Sequence, residues 1–297
     1  MSLTGALALA LTLPASTAEL KASPGGKIRI DYGAAQWQEA WEERIFDGMI
    51  WRLSAGSENR AVIEAGIIFD DAVVFPGRYN IGLANRGVDE WGLVFHNDGL
   101  NWNAGPREAE TMFIREWLDE KDLVPRLTIE LGPRAPTTGT QETEPNDDPY
   151  QWTIDLGPRH LTKSFRTCEA DSAKGKVGKH AFTVSWMARA DLDRVNVLLE
   201  DDEVLVARIE SKALKYPARA ALRGGDPPEL AIWPAEDYRA PLFLEGQPGE
   251  AKSPSKRIEL SVKSGKKVAT LQFTVADKTY TFELPPKLFE KSKLEEN

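Results

Sequence analysis

Cysteine is almost missing from this chain: Cys168 stands alone among 297 residues, so no intrachain disulfide can form and cysteine-type zinc sites are excluded. A lone thiol of this kind is expected to serve buried packing. Histidine is nearly as scarce, with His96, His160 and His180 only, and none stands at the i, i+4 spacing of a helical metal pair. No metal and no cofactor is expected. There is no Gly-x-Ser-x-Gly elbow, and three scattered histidines give no basis for a Ser-His-Asp triad. The Gly/Lys segment Lys174-Gly175-Lys176-Val177-Gly178-Lys179 lacks the Gly-Lys-Ser/Thr geometry and strand-to-helix setting of a phosphate loop. Basic residues are in deficit, 37 against 46 acids, and the net charge of −9 argues against nucleic acid and anionic membrane surfaces, which reward a basic face. No stretch after the N-terminal run reaches eighteen apolar residues, so no membrane span is expected in the mature chain.

The N-terminal run itself, Leu3 to Leu13, is too short to cross a bilayer, and Ala15-Ser16-Thr17-Ala18 fits the small-residue pattern ahead of a signal cleavage. Residues 1–18 therefore read as a signal peptide removed after Ala18, and the location as periplasmic or extracellular, although no Lys or Arg precedes the run. No cysteine follows to carry a lipid. Hydrophobic residues at 41%, with nine Trp and 19 Pro, mark a folded protein with many turns.

The densest structural signal lies between Phe46 and Trp102. Gly48 to Leu53, Arg60 to Phe69 and Ala72 to Leu83 each suit a strand, and Pro76-Gly77 fits the centre of a type II turn that would reverse the chain. In Trp91-Gly92-Leu93-Val94-Phe95-His96-Asn97 the large apolar residues Trp91, Leu93 and Phe95 share one face, as in a core strand of an antiparallel sheet.

The order Ile50-Trp51-Arg52, Glu58, Phe75-Pro76-Gly77-Arg78-Tyr79-Asn80-Ile81 and Glu90-Trp91 to Asn97 resembles a bacterial exported family catalogued as domain of unknown function 2911, best over residues 26–102. The chain departs from it at Ala55-Gly56-Ser57-Glu58-Asn59-Arg60, where the family carries Gly-Ala-Asn-Glu-Ala-Thr and only the glutamate is kept. The resemblance implies a β-sandwich-like domain and an exported location, and no reaction.

Elsewhere, Lys27 to Tyr32 alternates with Ile28 and Ile30 inward. Ala34 to Arg44 carries Trp37 and Trp41 on one helical stripe, and Pro106 to about Lys121 reads as a second short helix with Pro106 in its first turn and Phe113 or Ile114 with Trp117 on its apolar face. Residues 134–149 form an acidic, Pro-rich surface loop; its Glu142, Glu144, Asn146, Asp147 and Asp148 suit calcium by ligand type, but Pro145 and Pro149 hold the segment extended, so a solvated linker is expected. Strands follow near 151–156, 180–186, 194–199 and 204–209. Beyond Ser211, Arg257 to Val262, Val268 to Val275 and Lys278 to Leu284 give three strands, the last two separated by a turn at Asp277. The expected fold is mostly β: an antiparallel β-sandwich-like domain over residues 27–209 with one or two short helices, and a C-terminal β extension over 211–297.

Candidate ligand-binding residues are Trp51, Arg52 and Glu58 on one side of the Pro76-Gly77 turn and His96 and Asn97 at the end of the tryptophan strand. A structural ion pair is the plain alternative for Arg52 and Glu58, and a satisfied or exposed strand position for His96. Two functions are open. One is a non-catalytic exported protein binding a protein or glycan partner through sheet aromatics or loop ends. The other is an extracellular carbohydrate-active hydrolase, or an accessory module of one, using Glu58 with a second carboxylate.

Overall fold

Apolar and polar residues alternate through nearly every element of the computed structural model, which describes residues 15–38, 50–51, 59–87, 90–97, 107–134, 149–187, 203–214, 216–223, 227–234 and 241–290. The only helical pieces among these residues are two 3-10 turns, Glu120–Asp122 and Pro286–Phe289.

The first body is a single sheet built from β1 (Ala15–Ala22), β2 (Gly26–Gly33), β3 (Ile50–Trp51), β4 (Arg60–Ile63), β5 (Gly66–Ile68), β6 (Val73–Val74), β7 (Gly77–Gly87), β8 (Glu90–Asn97), β9 (Arg107–Trp117), β10 (Val124–Pro133), β11 (Tyr150–Gly157) and β12 (Arg159–Cys168). Its main path runs β1-β2-β4-β7-β8-β9-β12-β11-β10, antiparallel at every step. Residues of one parity, among them Ile28, Ile30, Tyr79, Leu83, Leu93, Phe95, Leu161 and Phe165, turn to a common interior that Trp152 fills. Tyr79, Phe95 and Trp152 meet edge to face there, with ring centres 5.9 and 5.8 Å apart. The sheet curls until β10 lies beside β1, a nearly closed barrel.

Strand parity decides how the ring closes. Nine strands in strict alternation leave β1 and β10 pointing the same way, so no antiparallel ladder can join them. Instead the chain runs on past Gly33, the partner of Ala15, and bonds to β10 in the antiparallel sense. Leu127 N–H donates to Ala35 O at 2.8 Å and Trp37 N–H to Pro125 O at 2.9 Å. Two tyrosine hydroxyls add to the seam: Tyr32 accepts from Ile129 N–H at 3.1 Å, and Tyr150 accepts from Ser23 N–H at 2.8 Å.

On the far side the wall forks. β9 pairs with β12 only over Ile114 to Trp117; further on, β12 pairs with β5 at Arg166 to Cys168, and the β5–β6 hairpin fills the gap. One end of the barrel is stoppered by Arg159, whose guanidinium lies 4.8 to 5.4 Å from the ring centres of Trp91, Trp37 and Trp117.

The second body begins at the other end. β13 (Ala170–Val177), β14 (His180–Met187), β15 (Glu203–Glu210), β16 (Ala218–Arg223), β17 (Glu229–Trp233) and β18 (Leu242–Glu245) form an antiparallel sheet in chain order, and β19 (Gln247–Lys263) and β20 (Ala269–Leu284) form a long hairpin packed on it. Phe182, Val184, Trp186, Ile209 and Ile232 from the sheet meet Ile258, Leu271, Phe273 and Phe282 from the hairpin in one core. Trp186 Nε1–H donates to Ile258 O at 3.1 Å, tying the layers together.

The mostly antiparallel β architecture matches expectation, but the helices do not. Over residues 107–121 the expected helix is β9 and a 3-10 turn. Thr111 and Phe113 are buried and Ile114 is exposed, a period of two, and ladders to β8 and β12 satisfy a backbone that the apolar i, i+4 spacing alone cannot assign. The described part of the other expected helix, 34–38, lies extended along the seam; its remainder is outside the described residues. Pro76-Gly77 is a corner, since β6 pairs with β5 and not with β7. Glycine is suited there by space: a Cβ on Gly77 would sit 3.0 Å from Arg208 Nη1. The expected boundary near 210 falls inside the second sheet, between β15 and β16. The turn expected at Asp277 is strand, because β19 and β20 run on through register shifts that absorb Pro254 and its neighbours.

Candidate functional site

The register of β7 sorts the five candidate residues. Trp51 stands opposite Leu83, an inward position, and packs half-buried against the barrel core. His96 stands opposite Asn80 on the outer face and is 1% exposed. The two therefore lie on opposite faces of one wall and form no common site. Asn97 pairs with Tyr79 through its backbone, while Arg52 and Glu58 lie outside the described residues. Most of the acidic loop also lies outside them; its ends meet through Arg134 N–H donating to Pro149 O at 2.9 Å. Cys168 is buried, with Sγ 3.6 Å from Met187 Sδ, in keeping with a packing role.

His96 is one member of a cross-strand polar row that the single-strand view missed. Thr17, Asp31, Arg60, Asn80 and His96 are successive partners on β1, β2, β4, β7 and β8. The open end of this row belongs to a cleft of about 390 Å³ on the outer barrel face, lined by Lys27, Arg29, Asp31, Arg60, Val62, Glu64 and Arg78. Arg29 bonds Asp31 at 2.9 Å, which raises the guanidinium pKa through that hydrogen bond and the charge behind it. Burial works against the charge on Asp31, yet bonds from Arg29 and from the Thr17 hydroxyl at 2.8 Å hold its carboxyl below the usual range. Lys27 pairs with Glu19 at 2.6 Å. Arg78 is exposed and has no ion pair among the described residues.

A larger cleft, about 940 Å³, lies on the second body where β13, β14 and the turn after β15 meet. Register sets Lys174, Thr183 and Glu210 side by side on β13, β14 and β15. Lys179 and Lys212 join them from the flanking turns, and His180, Phe182 and Tyr216 bring ring surface. His180 stacks on Phe289 and Phe289 on Phe182, with ring centres 5.8 and 5.4 Å apart. The three lysines have no ion pair among the described residues, whereas Glu210, the cleft's carboxylate, stands 3.2 Å from Arg208 Nε.

Arg208 also joins the two bodies. It is 6% exposed, and its Nη1 donates to Tyr79 Oη at 2.9 Å and to Pro76 O at 3.3 Å. Ile68, Phe75, Cys168 and Met187 close the same junction with an apolar cluster. Comparison with family models, curated proteins and solved structures finds no match to this chain. The chemistry must therefore be read from the clefts themselves. No group of three or more His, Cys, Asp or Glu poised to hold a metal occurs among the described residues. Trp117, 55% exposed at the stoppered end, is no bare platform, since Arg115 lies 4.3 Å from its ring centre. The lysines of the larger cleft come from separate elements, so no local motif marks them; Lys174 and Lys179 stood in view only as a failed phosphate loop.

Proposed function

We propose that this is a non-catalytic, exported β protein that binds an anionic partner, a protein or a glycan, and that the cleft of the second body is its main site. One observation carries the reading: Lys174, Lys179 and Lys212 converge on a single open cleft whose glutamate is already paired with Arg208. Positive charge is thereby concentrated on a chain whose net charge is −9. The filled barrel interior supports recognition on outer surfaces over a carrier that encloses its ligand. Export is part of the proposal and rests on the apolar run Leu3 to Leu13 ahead of small residues.

The test is retention on a carboxylated dextran matrix against the neutral matrix at low salt. The wild type is expected to be held and to elute as salt rises. The variant carrying Lys174→Gln, Lys179→Gln and Lys212→Gln, all at solvent-facing positions, is expected to flow through. A wild type that flows through, or a triple variant held equally well, would overturn the reading.

A further inference from the structure

We propose that the two cationic clefts are parts of one track for an extended acidic polysaccharide, crossing between the bodies at Arg208. This builds on the proposed role of the second-body cleft and adds the barrel cleft to it. The link is short. Glu210 on the wall of the larger cleft pairs with Arg208, and Arg208 bonds Pro76 O, two residues before Arg78 on the wall of the smaller one. Register also places Lys27, Glu64 and Arg78 at the junction end of the barrel: β7 begins at Gly77, β2 at Gly26, and Glu64 N–H bonds Lys27 O at 2.9 Å.

Strand geometry sets the size of the barrel's cationic patch. Partners on adjacent strands lie about 4.8 Å apart and same-face neighbours along a strand about 7 Å apart. Lys27, Arg29 and Arg78 thus form a patch about 10 Å across, facing one way. Arg208 itself is covered and marks the junction that the track passes; the contacts come from the lysine cleft on one side and the arginine cleft on the other.

The strand pairing favours a glycan over an acidic peptide. A peptide gains much of its affinity by adding a strand to a free sheet edge. The barrel cleft lies over β2, β4 and β7, all paired on both sides, and the larger cleft over β13, β14 and β15, of which β13 alone is a sheet edge; that edge is already bonded at Lys176 and Gly178 by Ser264 and Gly265 of the β19–β20 hairpin, which leaves little of it for a peptide. A polysaccharide needs no such partner. Its carboxylates meet Lys174, Lys212 and Arg78, its ring faces meet His180 and Tyr216, and its hydroxyls can donate to Asp31 and Glu64.

Galacturonate oligomers decide it: short ones that fill one cleft, and long ones that can reach both, titrated against the whole protein. The long oligomers are expected to bind at least about tenfold tighter than the short, because the second cleft is engaged within the same complex. Arg78→Gln, and independently Arg78→Glu, should bring the long oligomer down to the affinity of the short one. Both replace an exposed residue, and an unchanged melting curve checks that they fold. Equal binding of short and long oligomers, or an Arg78 variant that keeps the full gain, would overturn the track while leaving single-cleft binding intact. Polyglutamate of equal length binding as tightly as galacturonate would overturn the assignment to a glycan. Binding of neither polyanion would remove both the track and the proposed function.

Discussion

The carboxylate of Asp71 takes the place of a strand partner for Met112: it accepts the Met112 N–H at 2.8 Å, just where β9 parts from β12, and the Thr111 hydroxyl at 2.5 Å beside it. Lys163, the first β12 residue beyond the paired segment, turns inward and stands 3.1 Å from the same carboxylate, with Asp70 as a second partner. Burial works against ionising Asp71, but the Met112 amide, the Thr111 hydroxyl and the Lys163 ammonium hold its pKa below the usual carboxylate value.

Asp71→Asn should therefore destabilise the barrel by about 1–2 kcal/mol near neutral pH, a figure reduced for the group's partial exposure. Because the folded pKa is the depressed one, this contribution is present above the unfolded value of about 4 and is lost as pH falls through the folded one. Urea melts of wild type and variant should differ at pH 6 and converge in acid. A gap that persists unchanged in acid would assign the effect to shape and not to charge.

Removing the guanidinium at the junction should cost more. Arg208→Met leaves the Tyr79 hydroxyl and Pro76 carbonyl without their donor, at about 2–4 kcal/mol. Tyr79→Phe, which also frees the Phe75 carbonyl it donates to at 2.7 Å, should cost about 1–2 kcal/mol. In denaturant titrations the double variant is expected to lose less than the two single losses added together, since they share one contact.

Gly157 takes φ +57° and faces Trp37 so closely that a Cβ would lie 2.4 Å from the indole. Gly157→Ala should then cost about 2–4 kcal/mol and pull Trp37 away from Arg159, seen as a changed near-ultraviolet circular dichroism band. Gly132→Ala is the contrast. Nothing lies within 4 Å of its Cβ position, and melts should show it as stable as the wild type or about 0.5 kcal/mol better.

Cleavage after Ala18 would cut β1 in half. Ala15 to Ala18 pair with Gly33 to Ile30, and Ala18 is buried in the barrel core. A chain starting at Glu19 should lose about 2 kcal/mol, or about 4–8 °C in Tm, against one starting at Ala15. N-terminal sequencing of exported protein would show which of the two is made.

Alternation within one strand was legible where one face is buried and the other is not. Ile28 and Ile30, and Trp91, Leu93 and Phe95, lie inside as their spacing indicates. β9 was not legible, because apolar residues at 113, 114 and 117 fit a helical stripe as well as a strand, and only pairing with β8 and β12 decides between them. Candidate site residues fared worse for a related reason. Trp51 and His96 are near in sequence order of strands but fall on opposite faces of β7, a fact set by register. The lysine cleft gathers residues from three elements with no common spacing, and Arg208 looks like any strand arginine until Tyr79 is placed beside it.

Nine strands leave the barrel with one joint unlike the rest, bridged by a short run of backbone bonds and two tyrosine hydroxyls. A ring gives way at its weakest joint. Amide protons of β1 and β10 should exchange with solvent through local unzipping, while those of β7 and β8, flanked by ladders on both sides, should wait for global unfolding. Each such opening would bare two strand edges for a moment, making the seam the part of this molecule most exposed to pairing with another copy.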